Sequence, residues 1–374
     1  MKRTLGLIAC ILLLSACVAD PEVIVFPQTE VLPLIVTPTP TKGPVKGGFA
    51  LPAAYSVQGT WYELYFTDPS SPLAAQQTGG ADGPLVAAID EARLSVDVAI
   101  YSLSLDSIRN ALIRAHDRGV LVRVVMESDN RDRSDPQKLS DAGIPVLGDR
   151  REGLMHDKFV VIDNAEVWLG SMNFTDSGAY EDNNNLIRIR SVKMAENYTT
   201  EFNEMFVDDM FGADDVPATP NPRVTIDGIP IDVYFSPDDN VAANLLDLIY
   251  NAEESIYFMA YSFTSDPLAE AMRARAEEGV TVLGVMDSGQ INSNIGTEFD
   301  PFRQAGLDVR RDGIAGLLHH KVIIIDEQIV ITGSYNFTNS AETRNDETLI
   351  VIYDPFIASK FVEEFQRVFM LATP

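Results

Sequence analysis

One polar motif occurs twice in this chain, and the repeat constrains the fold more than any other feature. The first copy begins at His156 and the second at His319, so the two copies are offset by 163 residues. The members of the two copies are His156, Lys158, Asp163, Gly170, Ser171 and Asn173, and then His319, Lys321, Asp326, Gly333, Ser334 and Asn336. Because 374 residues suffice for two domains of ordinary size, the pattern predicts a tandem repeat.

Apolar, β-branched segments alternate with amphipathic helices in both repeats. In the first repeat, residues 94–101 and 120–126 are predicted strands on either side of a helix, which Asp106 or Ser107 can cap. The second repeat has the same order. This alternation predicts an α/β fold in which each repeat is a mixed β-sheet flanked by helices. The predicted boundaries are 53–211 for the first domain, 212–230 for a proline-containing linker and 231–374 for the second domain.

The N-terminal segment resembles a secretory signal. Residues 1–16 combine basic Lys2 and Arg3 with an apolar run and small residues. The residues before Cys17 are similar to a bacterial lipoprotein processing site, which predicts a lipidated Cys17; a plain signal peptide is the alternative. Residues 17–52 contain a stretch rich in Pro and Thr and predict an extended linker. We expect an exported cell-envelope lipoprotein, anchored on the periplasmic or extracellular face of a membrane.

The acidic composition limits the possible partners. The formal charge is −27 at pH 7, whereas contacts with nucleic-acid phosphates need a basic surface. General nucleic-acid binding is therefore disfavoured, although a local basic patch in a cleft remains open. The two cysteines, Cys10 and Cys17, both lie in the N-terminal segment, so the rest of the chain has no disulfide and no thiolate chemistry.

Strand alternation brings the polar groups of each motif to one side. Residues i and i+2 of a strand face the same way, so His156 and Lys158 project together, and so do Ser171 and Asn173 after a short turn. The second copy predicts the same hairpin. An ammonium group, a hydroxyl and a carboxamide beside an imidazole suit a phosphate site, because the donors bind phosphate oxygens and the imidazole can attack or protonate.

The chain has four histidines, and two of them fit this site. His116 lies on a charged helix face, and His320 should point away from the site by strand alternation. His156 and His319 remain, one in each repeat. One imidazole per repeat suits a mechanism that needs both a nucleophile and an acid.

These residues resemble the phospholipase D superfamily, whose mark is two copies of His-x-Lys, four residues, Asp, six residues and Gly-Ser-x-Asn. Both copies match without a substitution, and the repeat extends from roughly Trp61 to Phe369. The resemblance implies two halves packed about a pseudo-twofold axis with one active site between them. It also implies a phosphohistidine intermediate, no metal and no other cofactor. Since one chain holds both motifs, we expect a monomer to complete its own site.

The resemblance assigns roles to the matching residues. His156 and His319 would be nucleophile and acid, in an order that the sequence leaves open. Asp163 and Asp326 would support the site by ion pairing or hydrogen bonding. The residues implied for phosphate binding and support are Lys158, Lys321, Ser171, Asn173, Ser334, Asn336 and Glu347.

Glu347 suits a role that an acidic residue often has in this family, which is to orient a histidine. The corresponding residue of the first repeat is Asn184, a departure from the pattern, and Asp182 or Glu181 could substitute for it. The histidine that Glu347 supports is then expected to be the better nucleophile.

The resemblance indicates the type of reaction more clearly than it indicates the substrate. Hydrolysis of phospholipid headgroups fits an anchored, acidic, exported protein, which would sit beside its substrate. The first alternative is a metal-independent secreted endonuclease of the same superfamily, and the second is a cardiolipin-synthase-like phosphatidyltransferase. From another class, the chain could be an inactive surface-binding module, for which loss of a motif residue would be the signal; none is lost.

Overall fold

The computed structural model describes residues 51, 53–214 and 216–374, which all belong to one compact unit. The predicted signal peptide, Cys17 and nearly all of the predicted linker at 17–52 lie outside the described residues. The described part of the chain contains two consecutive sets of strands and helices, and each set carries one motif.

The first set builds a sheet whose central strands are almost entirely apolar. Its strands are β1 (Ala54–Gln58), β2 (Tyr62–Thr67), β3 (Ser95–Ile100), β4 (Leu121–Met126), β5 (Val146–Gly148), β6 (Lys158–Ile162), β7 (Glu166–Gly170) and β8 (Asn185–Arg190). Its helices are α1 (Asp82–Glu91), α2 (Asp106–Asp117), α3 (Ser128–Arg131), α4 (Ser134–Asp141), α5 (Asp176–Tyr180) and α6 (Val192–Phe206). Every residue of β3 and β6 is buried, because helices or the other repeat cover both faces of the sheet.

The second set repeats this order. Its strands are β9 (Arg223–Ile226), β10 (Ile229–Ser236), β11 (Ser255–Ala260), β12 (Thr281–Met286), β13 (Asp308–Arg311), β14 (Lys321–Ile325), β15 (Ile329–Gly333) and β16 (Glu347–Ile352). Its helices are α7 (Val241–Tyr250), α8 (Asp266–Glu277), α9 (Ser288–Ser293), α10 (Phe299–Gln304), α11 (Asn339–Thr343) and α12 (Pro355–Leu371). The prediction of an α/β chain with two tandem repeats is confirmed.

The two sheets have the same strand order. The first is β1-β2-β8-β7-β6-β3-β4-β5, and the second is β9-β10-β16-β15-β14-β11-β12-β13. The strands β3, β4 and β5 are parallel to one another, as are β11, β12 and β13, while the remaining neighbours are antiparallel. Each sheet is therefore mixed, as predicted. The motif hairpins β6–β7 and β14–β15 lie at the centre of their sheets.

One hydrophobic cluster holds the two repeats together. It includes Tyr198 and Phe202 of α6 and also Phe361 and Phe365 of α12, the helices that close each repeat. Polar bonds cross the same boundary, since the Tyr198 hydroxyl lies 2.7 Å from the hydroxyl of Thr348. The two sheets thus share a core, and this arrangement brings their central hairpins together.

Two local predictions differ from the structure. The N-cap of α2 is Leu105 rather than Asp106 or Ser107, and Asp106 lies inside the first turn, where its carboxylate binds the guanidinium of Arg109. The linker predicted at 212–230 contains β9 and the start of β10, because this hairpin pairs with β16 at the edge of the second sheet.

Candidate active site

Each motif docks on a short segment of the opposite repeat. The His156 amide donates to the carbonyl of Asp346 over 3.0 Å, and the His319 amide donates to the carbonyl of Asn183 over 2.9 Å. The partners are separated by the repeat offset, so these are the reciprocal contacts of a pseudo-twofold arrangement. The two motifs consequently face a single cleft between the repeats.

Two buried lysines lie deeper in the cleft than the histidines. The ammonium of Lys158 donates to the carbonyl of His156 over 2.6 Å, and that of Lys321 donates to the carbonyl of His319 over 2.8 Å. Burial lowers the pKa of Lys158 to about 8 and lowers the pKa of Lys321 well below its ordinary value. A bound phosphate anion would raise the pKa of both lysines, because it brings the opposite charge.

An aromatic ring lies beside each lysine and histidine. Lys158 lies 5.3 Å from the ring centre of Tyr101, and Lys321 lies 4.7 Å from that of Tyr261. The same rings contact the motif histidines, at centre-to-centre distances of 5.0 Å in the first repeat and 4.8 Å in the second. These tyrosines lie outside the sequence motif and were not predicted as site residues. Their matched positions, directly after β3 and β11, could have indicated them.

His156 is held by a carboxylate from the other repeat. Its Nδ1 lies 2.7 Å from Oε2 of Glu347, which is completely buried. Burial raises the pKa of Glu347 to about 7, while the nearby ammonium of Lys158 opposes that rise. Burial, followed by the charges of Lys158 and Lys321, lowers the pKa of His156.

His319 has only uncharged partners at the corresponding position. Its Nδ1 lies 2.9 Å from the carbonyl of Ser171 and 2.9 Å from Oδ1 of Asn184. The Asn184 amide is itself fixed, because its Nδ2 donates to the carbonyl of Gly178 over 2.9 Å. Both neighbours of the imidazole are acceptors, so Nδ1 carries the proton and Nε2 is left for the substrate. Burial, together with Lys321 and Lys158, lowers the pKa of His319.

The carboxylates considered as substitutes for Asn184 do not contact His319. Oδ1 of Asp182 accepts the amide hydrogen of Leu317 over 2.8 Å, so this side chain holds the loop that leads into the second motif. Glu181 is exposed. The two halves of the site therefore differ in charge at the Nδ1 partner.

The motif serines and asparagines divide into two groups. Oγ of Ser171 donates to Asn184 over 2.8 Å, and Oγ of Ser334 accepts the Thr348 amide over 2.9 Å, so both serines brace the segments around the histidines. Asn173 and Asn336 are half-buried, and in the described structure their buried Oδ1 atoms have no hydrogen-bond partner. Each amide can turn about its last bond, so both are available to a substrate oxygen.

The structure does not bring the motif aspartates to the site. The carboxylate of Asp163 accepts backbone amides of residues 93–95, the shortest at 2.6 Å from Leu94, and Asp326 binds residues 253–255 in the same way. The predicted support by hydrogen bonding is thus present, but it acts on loops at the far end of each motif strand, and the aspartates do not belong with the catalytic groups. The whole of strand β6 separates Lys158 from Asp163, a rise of roughly 16 Å at 3.3 Å per residue. Both aspartates instead fix the loops before β3 and β11.

His320 faces away from the cleft, as predicted. It is fully buried, with Nε2 at 3.0 Å from Glu364 and Nδ1 at 3.2 Å from Asn185. In the described residues, no group of three or more His, Cys, Asp or Glu side chains is placed to hold a metal ion. Nor is any described helix both long enough and apolar enough to cross a membrane.

Comparisons with known proteins agree with this geometry. The family described as "Cardiolipin synthase, PLD-like domain" matches residues 85–206 and 245–369. A mitochondrial cardiolipin hydrolase from Chlamydomonas reinhardtii is 32% identical over 125 residues, which are 33% of this chain and 56% of that protein. A phospholipase D from Rickettsia prowazekii is 34% identical over 135 residues, which are 36% of this chain and 65% of that protein. The chain thus spans less than two thirds of either relative.

Among solved structures, a phosphatidylserine synthase from Haemophilus influenzae has the fold of nearly the whole chain. It superposes with a TM-score of 0.61 at 14% identity, over 84% of this chain and 87% of that chain. At such low identity the likeness concerns the fold alone, and it covers both repeats.

Proposed function

This chain belongs to the phospholipase D superfamily, and from this premise we propose that it is a phosphodiesterase that hydrolyses phospholipid headgroups through a phosphohistidine. The observation that carries the proposal is the pairing of the two motif histidines across one cleft, each bonded at Nδ1, with two buried lysines below them. His156 is close enough to His319 to contribute to the lowering of its pKa.

We assign the nucleophile to His156. Its Nδ1–H donates to the Glu347 carboxylate, which makes Nε2 more electron-rich and stabilises the positive charge that the imidazole gains on phosphorylation. In the first step, Nε2 forms a bond to phosphorus and the bond from phosphorus to the headgroup oxygen breaks. The negative phosphate of the bound substrate favours a protonated His319, which takes a proton from solvent at Nε2 and gives it to that oxygen as it leaves.

The second step reverses these roles. Neutral His319 takes a proton from water, the water oxygen bonds to phosphorus, and the phosphorus–nitrogen bond to His156 breaks. Lys158 and Lys321 stabilise the charge on the phosphoryl oxygens, and Asn173 and Asn336 donate from their amides. The products are a free headgroup alcohol and a phosphomonoester on the lipid, and both histidines are restored.

Charge favours a lipid over a nucleic acid as substrate. A chain with a formal charge of −27 repels a polyanion, while a phosphodiester at a membrane presents one phosphate at a time. The relatives named phospholipase D and cardiolipin hydrolase agree with a lipid substrate.

The test uses the full chain in EDTA with phospholipid vesicles and plasmid DNA in parallel. Headgroup release that disappears in His156→Ala and in His319→Ala supports the proposal. Plasmid nicking with intact lipid would replace it with the nuclease alternative, and transfer of the phosphatidyl group to an added alcohol without hydrolysis would favour a transferase. Turnover of neither substrate would favour a surface-binding module.

The proposal places the protein at a membrane through Cys17. A lipidated cysteine would keep the enzyme beside its substrate, since two or more acyl chains give durable anchoring. Mass spectrometry of the mature N-terminus tests this point, with Cys17→Ser as the control. A mature chain that carries no lipid at Cys17 would remove the anchor from the proposal.

A further inference from the structure

Two matched rows of side chains rise from the floor of the cleft to its rim. They consist of Lys158, His156 and Leu154 in the first repeat and of Lys321, His319 and Leu317 in the second. Alternate residues of an extended segment face the same way, so each leucine continues the row of its lysine and histidine. The exposed fraction rises along both rows, from 1% to 7% to 37% in the first and from 1% to 5% to 37% in the second.

The backbone keeps both leucines at the rim. The amide and the carbonyl of each are hydrogen-bonded to the opposite repeat, Leu154 to Asn345 and Asp346 and Leu317 to Asp182 and Asn183, over 2.8–3.2 Å. A leucine on a free loop could fold back and bury itself. These two cannot do so without breaking the contacts that also position the histidines.

A third apolar side chain lies at the same end of the second sheet. Ile295 is 99% exposed in the turn between α9 and α10. Asn294 donates to the hydroxyl of Ser262 over 2.8 Å, and Ser262 follows Tyr261, whose ring contacts His319. Gly296 takes a positive φ of 76°, which leaves Ile295 at the tip of the turn. The corresponding turn of the first repeat, between α3 and α4, contains only Asp132 and Arg133.

We propose that Leu154, Leu317 and Ile295 form an apolar rim that enters the acyl region of a phospholipid bilayer while the phosphate reaches the histidines below. This inference rests on the proposed function. Exposed apolar residues grouped around a functional cleft are typical of interaction sites, whereas isolated ones need no explanation.

The net charge of the chain indicates which kind of bilayer it would bind. The formal charge of −27 opposes binding of the chain as a whole to an anionic surface. Apolar contact must supply the attraction, and a zwitterionic surface such as phosphatidylcholine fits it best.

The test compares aggregated with monomeric lipid. The full chain carries Cys17→Ser throughout, so that no acyl anchor contributes, and the rim variant is Ile295→Asn with Leu317→Asn. Neutral asparagines leave the charge around His319 unchanged. The matched control is Leu94→Asn, because Leu94 is 66% exposed but precedes β3, at the end opposite Tyr101. Sedimentation with phosphatidylcholine vesicles measures binding, and choline release measures turnover.

We expect the rim variant to bind vesicles at least tenfold more weakly than the parent and to release choline from them correspondingly more slowly. Its turnover of monomeric dihexanoyl phosphatidylcholine should stay within twofold, and the control should match the parent in every arm. Unchanged vesicle binding by the rim variant would overturn the inference, as would an equal loss on monomeric lipid. If the parent hydrolyses neither lipid, the proposed function fails, and the sedimentation arm still decides whether the rim binds a bilayer.

Discussion

The two halves of the site have the same backbone and different electrostatics. In both, a histidine amide is bonded to the opposite repeat and a lysine is bonded to the histidine carbonyl. At Nδ1, however, His156 meets the buried carboxylate of Glu347, and His319 meets the amide of Asn184. A single side chain at matched positions therefore separates two imidazoles that the repeat would otherwise make equivalent. The repeat makes the two halves of the cleft alike, and in the proposed mechanism this one difference separates the nucleophile from the acid.

The difference in charge at Nδ1 suits the two proposed roles, nucleophile for His156 and acid for His319. A carboxylate at Nδ1 stabilises a phosphorylated, positively charged imidazole, which helps a nucleophile. An amide and a carbonyl orient the ring without adding a charge, so the imidazolium of His319 remains the stronger acid.

Removal of the histidines should have the largest effect. Both His156→Ala and His319→Ala should lower turnover of phospholipid by roughly 10⁴-fold or more. A p-nitrophenyl phosphodiester should separate them, because its leaving group needs no proton. His319→Ala should then release one p-nitrophenol per enzyme in a burst and stall, whereas His156→Ala should give no burst. Stopped-flow absorbance measures this, and a burst in His156→Ala alone would reverse the assignment.

Removal of the carboxylate should have the next largest effect. Glu347→Gln keeps an acceptor near His156 but loses its charge, so kcat should fall by roughly 10²–10⁴-fold. Because the pKa of Glu347 is raised to about 7 and that of Lys158 is lowered to about 8, kcat/KM of the parent should rise through pH 7 and fall above pH 8. The limb near pH 7 should vanish in Glu347→Gln. A limb that persists unchanged would mean that another group sets it.

Addition of a carboxylate to the other half should have a smaller effect. Asn184→Asp has the same shape, and its charge should raise the pKa of His319 and weaken it as an acid. We expect roughly tenfold slower headgroup release and a smaller loss with a p-nitrophenyl leaving group. The Asp side chain also gives up the bond to Gly178, so Asn184→Ala serves as the control for lost packing. Equal losses on both substrates would show that charge is not the cause.

Changes at the motif aspartates should affect stability more than catalysis. Asp163→Asn or Asp326→Asn weakens the bonds to three backbone amides, which should lower the free energy of unfolding by roughly 1–3 kcal/mol. Activity per folded molecule should stay within about threefold, since a whole strand separates these groups from the histidines. Denaturant unfolding and kcat measured on the same preparations check both points. A large loss of kcat in a stable variant would return the aspartates to the site.

The features that could be predicted from the sequence are those set by the repeated motif and by the alternation of side chains along a strand. The motif spacing predicted the hairpins, the shared direction of His156 and Lys158, and the orientation of His320 away from the cleft, because alternate residues of a strand face the same side. The sequence could not show which repeat supplies each Nδ1 partner. Glu347 lies beside His156 only because the halves pack against each other, which is a long-range contact. The position of Asp163 could not be predicted for a related reason. The motif places it close to His156 and Lys158 in sequence, but strand β6 separates them in space.

The most direct test of the account is the site of the covalent intermediate. Incubation of His319→Ala with a p-nitrophenyl phosphodiester should trap the adduct, since the residue that would activate water is absent. Peptide mass spectrometry after an alkaline quench should then find the phosphoryl group on His156. A stable adduct on His319 in His156→Ala, with none on His156 in the converse variant, would contradict the assignment of roles to the two halves.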